Sequence, residues 1–231
     1  MTPDHTVTNA RIGRRTPPSQ LDKLSKHRDP RIRSKVGSHH STSRETLTNL
    51  ATDDDAIVRE HVSSNIHTGP QQLARLATDA NVNVVVAAAG NPRTPANLLE
   101  RLSKHPNLHV ALQVAINTST PPAALKRLAT HKDANVRTIV ALNINTPVKT
   151  LRTLTTDTNA QVRNSADLAR RNYNDTFINT LSGPTREHAE LLAPTFTGWP
   201  DDLQRVLTYI DKDISTPTPS SRSEPQGHRH G

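Results

Sequence analysis

Pairs of leucines recur along most of this chain at a fixed interval of 26 residues. The first leucine of each pair forms a column, meaning the equivalent position in successive repeats: Leu21, Leu47, Leu73, Leu99, Leu125 and Leu151. The second leucine follows three residues later in each case: Leu24, Leu50, Leu76, Leu102, Leu128 and Leu154. Residues three apart lie on one face of a helix, so each pair predicts a short amphipathic helix.

A second apolar pair follows in each unit, with its two members four residues apart. Its first members are Ile32, Val58, Val84, Val110, Val136 and Val162, and its second members are Val36, Val62, Ala88, Val114, Val140 and Ala166. This spacing predicts a second helix. Two helices in a fixed period of this length are typical of an α-solenoid. We number the repeats 1 to 6, covering 17–42, 43–68, 69–94, 95–120, 121–146 and 147–172.

The residues before each first helix are of types that begin helices. The column that precedes it is threonine throughout: Thr16, Thr42, Thr68, Thr94, Thr120 and Thr146. We expect these hydroxyls to accept hydrogen bonds from the unpaired N–H groups of the first turn. Prolines follow directly in four repeats and are expected at the first helical position, where a missing N–H has no consequence. They are Pro17, Pro95, Pro121 and Pro147.

The second helix also has polar residues at both ends. Its predicted N-caps are Asp29, Asp55, Asn81, Asn107, Asp133 and Asn159. A column of asparagines stands near its C-terminal end: Asn65, Asn91, Asn117 and Asn143. Asparagine at such a position either adopts the left-handed conformation or bonds exposed backbone groups.

The periodic region divides the chain into four parts. Residues 16–172 are interpreted as an all-α solenoid of six two-helix repeats. Residues 1–15 show no periodicity and are expected to form a disordered basic arm. Residues 173–211 are interpreted as a degenerate repeat that caps the stack, and the Ser- and Pro-rich residues 212–231 as a disordered tail. The aromatic residues expected to cover the last layer are Phe196, Trp199 and Tyr209.

The unit T-P-x-x-x-L-x-x-L-A-x-D-x-(D/N)-x-x-V-R-x-x-V-A-x-N resembles the repeat of the bacterial leucine-rich repeat variant family, a relative of HEAT-like helical repeats. The arginines that match its Val-Arg element are Arg33, Arg59, Arg137 and Arg163, whereas Val85 and Ala111 depart from it. The resemblance covers about residues 16–172 and implies alternating short helices, of the α or 3₁₀ type, in a right-handed superhelix. One described member carries a cysteine-bound iron–sulfur cluster, but this chain has no cysteine, so we expect no such cluster and no other cofactor. No single activity follows, because a fold does not fix a function.

Composition and charge narrow the class of protein. The hydrophobic fraction is 32% and the aromatic fraction 2%, which suits a stack that buries a thin layer per repeat. The lack of cysteine excludes disulfides and zinc–thiolate sites. No apolar run reaches the length of a signal peptide core or a membrane span, so we expect a cytoplasmic protein with no membrane partner. The net charge of +8 favours acidic partners, nucleic acid among them.

The arginines of the Val-Arg element are interpreted as structural. Each lies four residues after a predicted cap, a spacing that allows an ion pair along a helix. The ionic pairs are Asp29 with Arg33, Asp55 with Arg59, and Asp133 with Arg137. We expect such pairs to form a ladder between neighbouring turns, which leaves these arginines little charge for a ligand.

A second basic column lies between the two leucines of each pair, so its side chains are expected to point away from the core. Arg75, Arg101 and Arg127 occupy it in adjacent repeats, and Lys126 and Arg152 widen it. These five are the candidate partner-binding residues, although a solvated surface is the plain alternative. The leading hypothesis is a non-catalytic scaffold that binds another protein with an acidic surface. The alternative is a nucleic-acid-binding module using the basic stripe across repeats 3–5, which the acidic residues of repeat 2 weaken.

Metal and catalytic sites are not expected. His27, His105 and His131 share a column, but even His105 and His131, in adjacent repeats, are expected to lie farther apart than a shared metal ion allows. The chain has no Gly-rich phosphate loop, nucleophile elbow or metalloprotease motif, so we expect no enzymatic activity. A variable column on the second helices is typical of a recognition surface: Lys35, His61, Ala87, Gln113, Ile139 and Ser165.

Overall fold

The computed structural model describes residues 12–180 and Arg186, with side chains described for 12–173, Thr180 and Arg186. All twelve elements in this part of the chain are α-helices. The first helices of the repeats are α1 (Pro18–Leu24), α3 (Arg44–Leu50), α5 (Pro70–Leu76), α7 (Ala96–Leu102), α9 (Pro122–Leu128) and α11 (Val148–Leu154). The second helices are α2 (Pro30–Ser38), α4 (Ala56–Ser64), α6 (Val82–Gly90), α8 (Leu108–Ile116), α10 (Ala134–Leu142) and α12 (Ala160–Thr180).

The chain forms two compact units, Met1–Ala169 and Arg170–Gly231. The first contains the repeats up to the middle of α12. The described residues of the second are the end of α12 and Arg186. The predicted aromatic cap at Phe196, Trp199 and Tyr209 lies outside the described residues, as do the predicted tail and most of the predicted arm.

The core consists of the predicted apolar columns. Every leucine of the two leucine columns is buried, with no side chain more than 6% exposed. The valine and alanine positions of the second helices are buried as well, and only Ile32, in the first repeat, remains partly exposed. The two-helix repeat predicted from the apolar spacing is therefore confirmed.

Small side chains allow the second helices to pack directly on one another from repeat to repeat. The column that faces the neighbouring second helix is buried and consists of Gly37, Ser63, Ala89, Ala115 and Ala141. A Cβ atom at Gly37 would lie 3.1 Å from Cγ2 of Val62, so α2 and α4 approach closely there and a larger residue would require Val62 to shift. Successive second helices are in contact along the row α2, α4, α6, α8 and α10, whereas the first helices are more widely spaced. The second helices thus form the tighter of the two rows.

The threonine column does not cap the first helices, so that prediction is wrong. In five repeats the hydroxyl donates to a carbonyl six residues earlier, in the second helix that has just ended, at 2.5–2.6 Å. The N-cap is the following residue: Pro17, Ser43, Gly69, Pro95, Pro121 or Pro147. These prolines therefore precede the first helical position rather than occupy it. The threonines instead bond a carbonyl in the last turn of the preceding helix, and in four of the five repeats that carbonyl also accepts from the backbone N–H three residues later.

The predicted N-caps of the second helices are confirmed. Each of the six side chains accepts a hydrogen bond from the backbone N–H two residues later, at 2.7–2.9 Å. Because the three aspartates among them make this bond, their carboxylates hold the start of their own helix.

The asparagine column joins neighbouring repeats. Asn65, Asn91, Asn117 and Asn143 have φ between −63 and −74° and ψ between 120 and 126°, so the left-handed alternative is wrong. Asn117 is representative: its Nδ2 donates to the carbonyls of Ala89 at 2.8 Å and Asn91 at 2.9 Å in the preceding repeat. Its Oδ1 accepts from the N–H of Ser119. These buried asparagines form a continuous asparagine ladder between repeats.

The two ends of the asparagine ladder differ in sequence and in structure. In repeat 1 its place is taken by His39, whose Nε2 bonds the carbonyl of Gly13 at 3.0 Å and whose Nδ1 accepts from Ser41 N–H at 3.1 Å. In repeat 6 the equivalent residue is Ala169, and α12 continues through it to Thr180. The boundary expected between residues 172 and 173 therefore falls inside a helix, because no asparagine ends that helix at the usual place.

Candidate functional site

An arginine of the Val-Arg element joins its own repeat to the next one. Arg33 donates from Nε to Oδ2 of Asp53 at 2.7 Å and from Nη2 to Oδ1 at 2.8 Å, and Nη1 bonds the carbonyl of His27 at 2.8 Å. Arg59 with Asp79 and Arg137 with Asp157 have the same geometry. We call each such bidentate pair a rung of the arginine ladder. The predicted ladder of pairs four residues apart is wrong, because those aspartates cap helices and each arginine pairs with an aspartate of the next repeat.

The rungs hold their carboxylates in the charged form. The hydrogen bond from Arg59 keeps the pKa of Asp79 below its ordinary value of 3.8, and Arg137 does the same for Asp157. For Asp53, burial is the largest single influence and raises the pKa, but the Arg33 hydrogen bond and nearby charges together lower it. The same bonds raise the pKa values of the three arginines. These arginines are committed to the fold and are poor candidates for ligand binding.

The arginine ladder is interrupted between repeats 3 and 4 and between repeats 4 and 5. Val85 and Ala111 stand where the arginine is missing, and His105 and His131 stand where the next repeat would carry its aspartate. Each histidine accepts a backbone hydrogen bond at Nδ1 from the N–H two residues later, as Oδ1 of the rung aspartates does. The histidines therefore make the same turn hydrogen bond as the rung aspartates but carry no negative charge. This explains the histidine column without a metal, and no group of three or more potential ligands occurs among the described residues.

The interruption changes the charge of the loops between the two helices. Repeat 2 has Thr52-Asp53-Asp54 there, whereas repeat 4 has Lys104-His105-Pro106 and repeat 5 has Thr130-His131-Lys132. Glu100 and Asp133 are the carboxylates of repeats 4 and 5, and Asp133 caps α10. We define the basic surface as Arg75, Arg101, Lys104, Lys126, Arg127 and Lys132.

The basic surface contains four of the five residues predicted to bind a partner. Arg75 lies on α5, Arg101 on α7, and Lys126 and Arg127 on α9, and all four are exposed. The fifth, Arg152 on α11, is half-buried. None of the salt bridges among the described residues involves the basic surface. Lys104 and Lys132 were not selected from the sequence. Their loops could have been noticed, because the ladder arginine is replaced by Val85 and Ala111 one repeat before His105 and His131 replace the ladder aspartate.

Comparison with known proteins identifies the repeat. No protein-family model and no curated protein matches the chain. A solved structure described as a leucine-rich repeat variant with a novel repetitive protein structural motif is similar over 66% of this chain, at 26% sequence identity and a TM-score of 0.52. The chain is a leucine-rich repeat variant-like helical repeat protein. The match covers 60% of that protein, less than two thirds of its length.

The second helices of this leucine-rich repeat variant-like chain carry a different surface. Leu108, Ile116 and Leu142, on α8 and α10, are 37%, 53% and 52% exposed. In the variable column noted in the sequence, Lys35 is exposed and the others are half-buried. Ile116 and Leu142 occupy equivalent positions in adjacent repeats, and exposed aliphatic side chains of this kind suit contact with protein. No helix in the described part of the chain is both long and apolar enough to span a membrane.

Proposed function

We propose that this chain is a non-catalytic interaction scaffold that binds a protein with an acidic surface through the basic surface of repeats 3 to 5. The observation that carries the proposal is the interruption of the arginine ladder. In repeats 4 and 5 the ladder carboxylates are replaced by His105 and His131, so the nearby cations have no rung aspartate to pair with. Unpaired basic side chains on neighbouring repeats attract an acidic partner and give it a defined position.

A protein partner is favoured over nucleic acid by the limited extent of the basic surface. The rung aspartate is present again in repeat 3, at Asp79, and in repeat 6, at Asp157, so the loops that lack it are confined to repeats 4 and 5. A nucleic-acid track continues along the phosphates, and every phosphate it neutralises adds to affinity. A basic surface confined to three repeats instead matches a compact acidic epitope. The aliphatic side chains exposed on α8 and α10 also favour contact with protein.

The test compares two triple charge reversals with the same change in net charge. The first is Arg75→Glu, Arg101→Glu, Arg127→Glu. The control is Lys23→Glu, Lys35→Glu, Arg93→Glu, whose residues are exposed and lie outside the basic surface. Binding of fluorescein-labelled polyglutamate is measured by anisotropy. We expect the first variant to bind about tenfold more weakly or worse, because reversed charges repel the peptide, and the control to bind like the wild type. Equal affinities of the two variants would contradict the proposal.

The nucleic-acid alternative is tested in the same assay. Labelled single-stranded and duplex oligonucleotides are titrated at several salt concentrations. We expect weaker binding than that of polyglutamate at about 0.15 M salt, because a basic surface confined to three repeats neutralises few phosphates. Tighter binding of an oligonucleotide, lost in the first variant and retained in the control, would favour the alternative.

A further inference from the structure

A cavity of about 410 Å³ opens at the first interruption of the arginine ladder, between repeats 3 and 4. Its apolar lining includes Val85, Leu98 and Leu102, which are 3–4% exposed. Arg101, Lys104 and His105 also line it. The cavity therefore combines an apolar floor with a basic rim.

The missing arginine explains the cavity. Where a rung is present, the arginine side chain crosses from the second helix to the aspartate of the next repeat and bonds two carbonyls on the way, as Arg59 does with Asp53 and Asp54. Val85 occupies the equivalent position in α6 and is too short to cross the same space. The volume that a guanidinium fills in the preceding repeats is left open here.

The charges around this cavity select an anion. Arg101 and Lys104 are exposed, and neither takes part in a salt bridge of the described chain. Asp79 also lines the cavity, but its two carboxylate oxygens are already bonded by Arg59. The net field at the rim is therefore positive, while the floor excludes charge.

We propose that this cavity is a specificity pocket for an acidic segment of a partner protein in which an aliphatic side chain adjoins acidic residues. The aliphatic side chain rests on Val85, Leu98 and Leu102, and the neighbouring carboxylates pair with Arg101 and Lys104. This inference rests on the proposed function and specifies its partner: charge brings an acidic segment to the surface, and the pocket selects those that carry an aliphatic residue.

The test restores the missing rung. The double variant Val85→Arg, His105→Asp rebuilds the rung that Arg59 and Asp79 form one repeat earlier. The new arginine side chain should fill the cavity, and the formal net charge does not change. Two labelled peptides serve as probes: a polyglutamate with a central leucine and the same peptide with serine there. We expect the wild type to prefer the leucine peptide by about tenfold, because burial of a leucine side chain supports a difference of that size. The double variant should bind both peptides with equal affinity.

A matched control closes the second interruption with the same substitutions. Ala111→Arg, His131→Asp restores a rung between repeats 4 and 5 and leaves the cavity at Val85 intact. We expect it to keep the preference for leucine. Retention of the preference by Val85→Arg, His105→Asp, or loss of it in the control, would overturn the assignment of the pocket.

A second variant keeps the test valid if the double variant does not fold. Leu98→Gln makes repeat 4 match repeats 1 and 3, which have Gln20 and Gln72 at this position, and removes part of the apolar floor. It should also lose the preference for leucine, and an unchanged preference would overturn the proposal. Equal binding of both peptides to the wild type contradicts the pocket alone, whereas binding of neither contradicts the proposed function as well.

Discussion

Single polar residues hold neighbouring repeats together. Each asparagine of the asparagine ladder bonds two carbonyls of the preceding repeat and one N–H of its own, and its side chain is buried. Each rung joins a guanidinium to a carboxylate of the next repeat. Polar groups buried at these joints are satisfied across the interface, so they fix the register between repeats as well as contribute stability.

Removal of one asparagine should be costly. Asn117→Ala removes three hydrogen bonds, and the carbonyl of Ala89 and the N–H of Ser119 lose this partner, whereas the carbonyl of Asn91 keeps its bond from the N–H of Thr94. We expect the free energy of unfolding to fall by about 2–4 kcal/mol. Urea denaturation measures the change. The control is Asn145→Ala, which removes an exposed asparagine that bonds the carbonyl of Thr118. A loss no larger than that of the control would contradict the asparagine ladder.

Ser63 should tolerate, and benefit from, replacement by alanine. Its hydroxyl is fully buried and has no hydrogen-bond partner, and the same column carries alanine in repeats 3, 4 and 5. Ser63→Ala removes a buried unsatisfied group, and we expect a gain of about 1 kcal/mol in thermal or urea unfolding. A loss of stability would show that the hydroxyl has a partner in solution.

The rungs should make stability depend on acid. A carboxylate whose pKa is lowered in the folded protein stabilises it above its ordinary pKa of 3.8, and that contribution is lost as pH falls through the folded value. Asp157→Asn removes the charge but retains an oxygen that can accept from the N–H of Asn159. We expect the wild type to be more stable by about 1 kcal/mol at neutral pH, and the difference to vanish near pH 2. A difference that persists in acid would contradict the ionic origin.

At the scale of elements, apolar spacing was sufficient to predict both helices of every repeat. The predictions that were wrong concern the hydrogen-bond partners of threonine and aspartate, since each of these residues has more than one possible partner. Threonine before a helix can cap it or bond the helix that has just ended, and only the tertiary arrangement selects the second. Aspartate four residues before arginine can pair with it or cap its helix, and Asp29, Asp55 and Asp133 all cap.

Loss of one core leucine should affect more than its own helix. Leu76 is 1% exposed, and we expect Leu76→Ala to cost about 2–5 kcal/mol. Since each repeat is stabilised by its neighbours, hydrogen exchange should also increase in repeats 2 and 4. Leu142→Ala, at a side chain 52% exposed, is the control and should change little. Increased exchange confined to α5 would contradict the coupling between repeats.

At the scale of the whole molecule, the candidate site is the part of the chain where the repeat departs from its own pattern. The basic column was visible in the sequence because it lies between the leucines. Lys104 and Lys132 were not singled out, because the partner of the Val-Arg arginine lies twenty residues away in the next repeat, at Asp53 for Arg33. The sequence alone does not show this separation of twenty residues. The loss of arginine at Val85 and Ala111 and the loss of aspartate at His105 and His131 therefore look unrelated in the sequence.

If the interrupted arginine ladder determines where an acidic partner binds, the partner contacts repeats 3 to 5. The most direct measurement is zero-length carbodiimide cross-linking of polyglutamate to the full chain, followed by mass spectrometry of the joined lysines. We expect cross-links at Lys104, Lys126 and Lys132. Cross-links concentrated at Lys23, Lys26 and Lys35 in repeat 1, or spread evenly over all lysines, would contradict it.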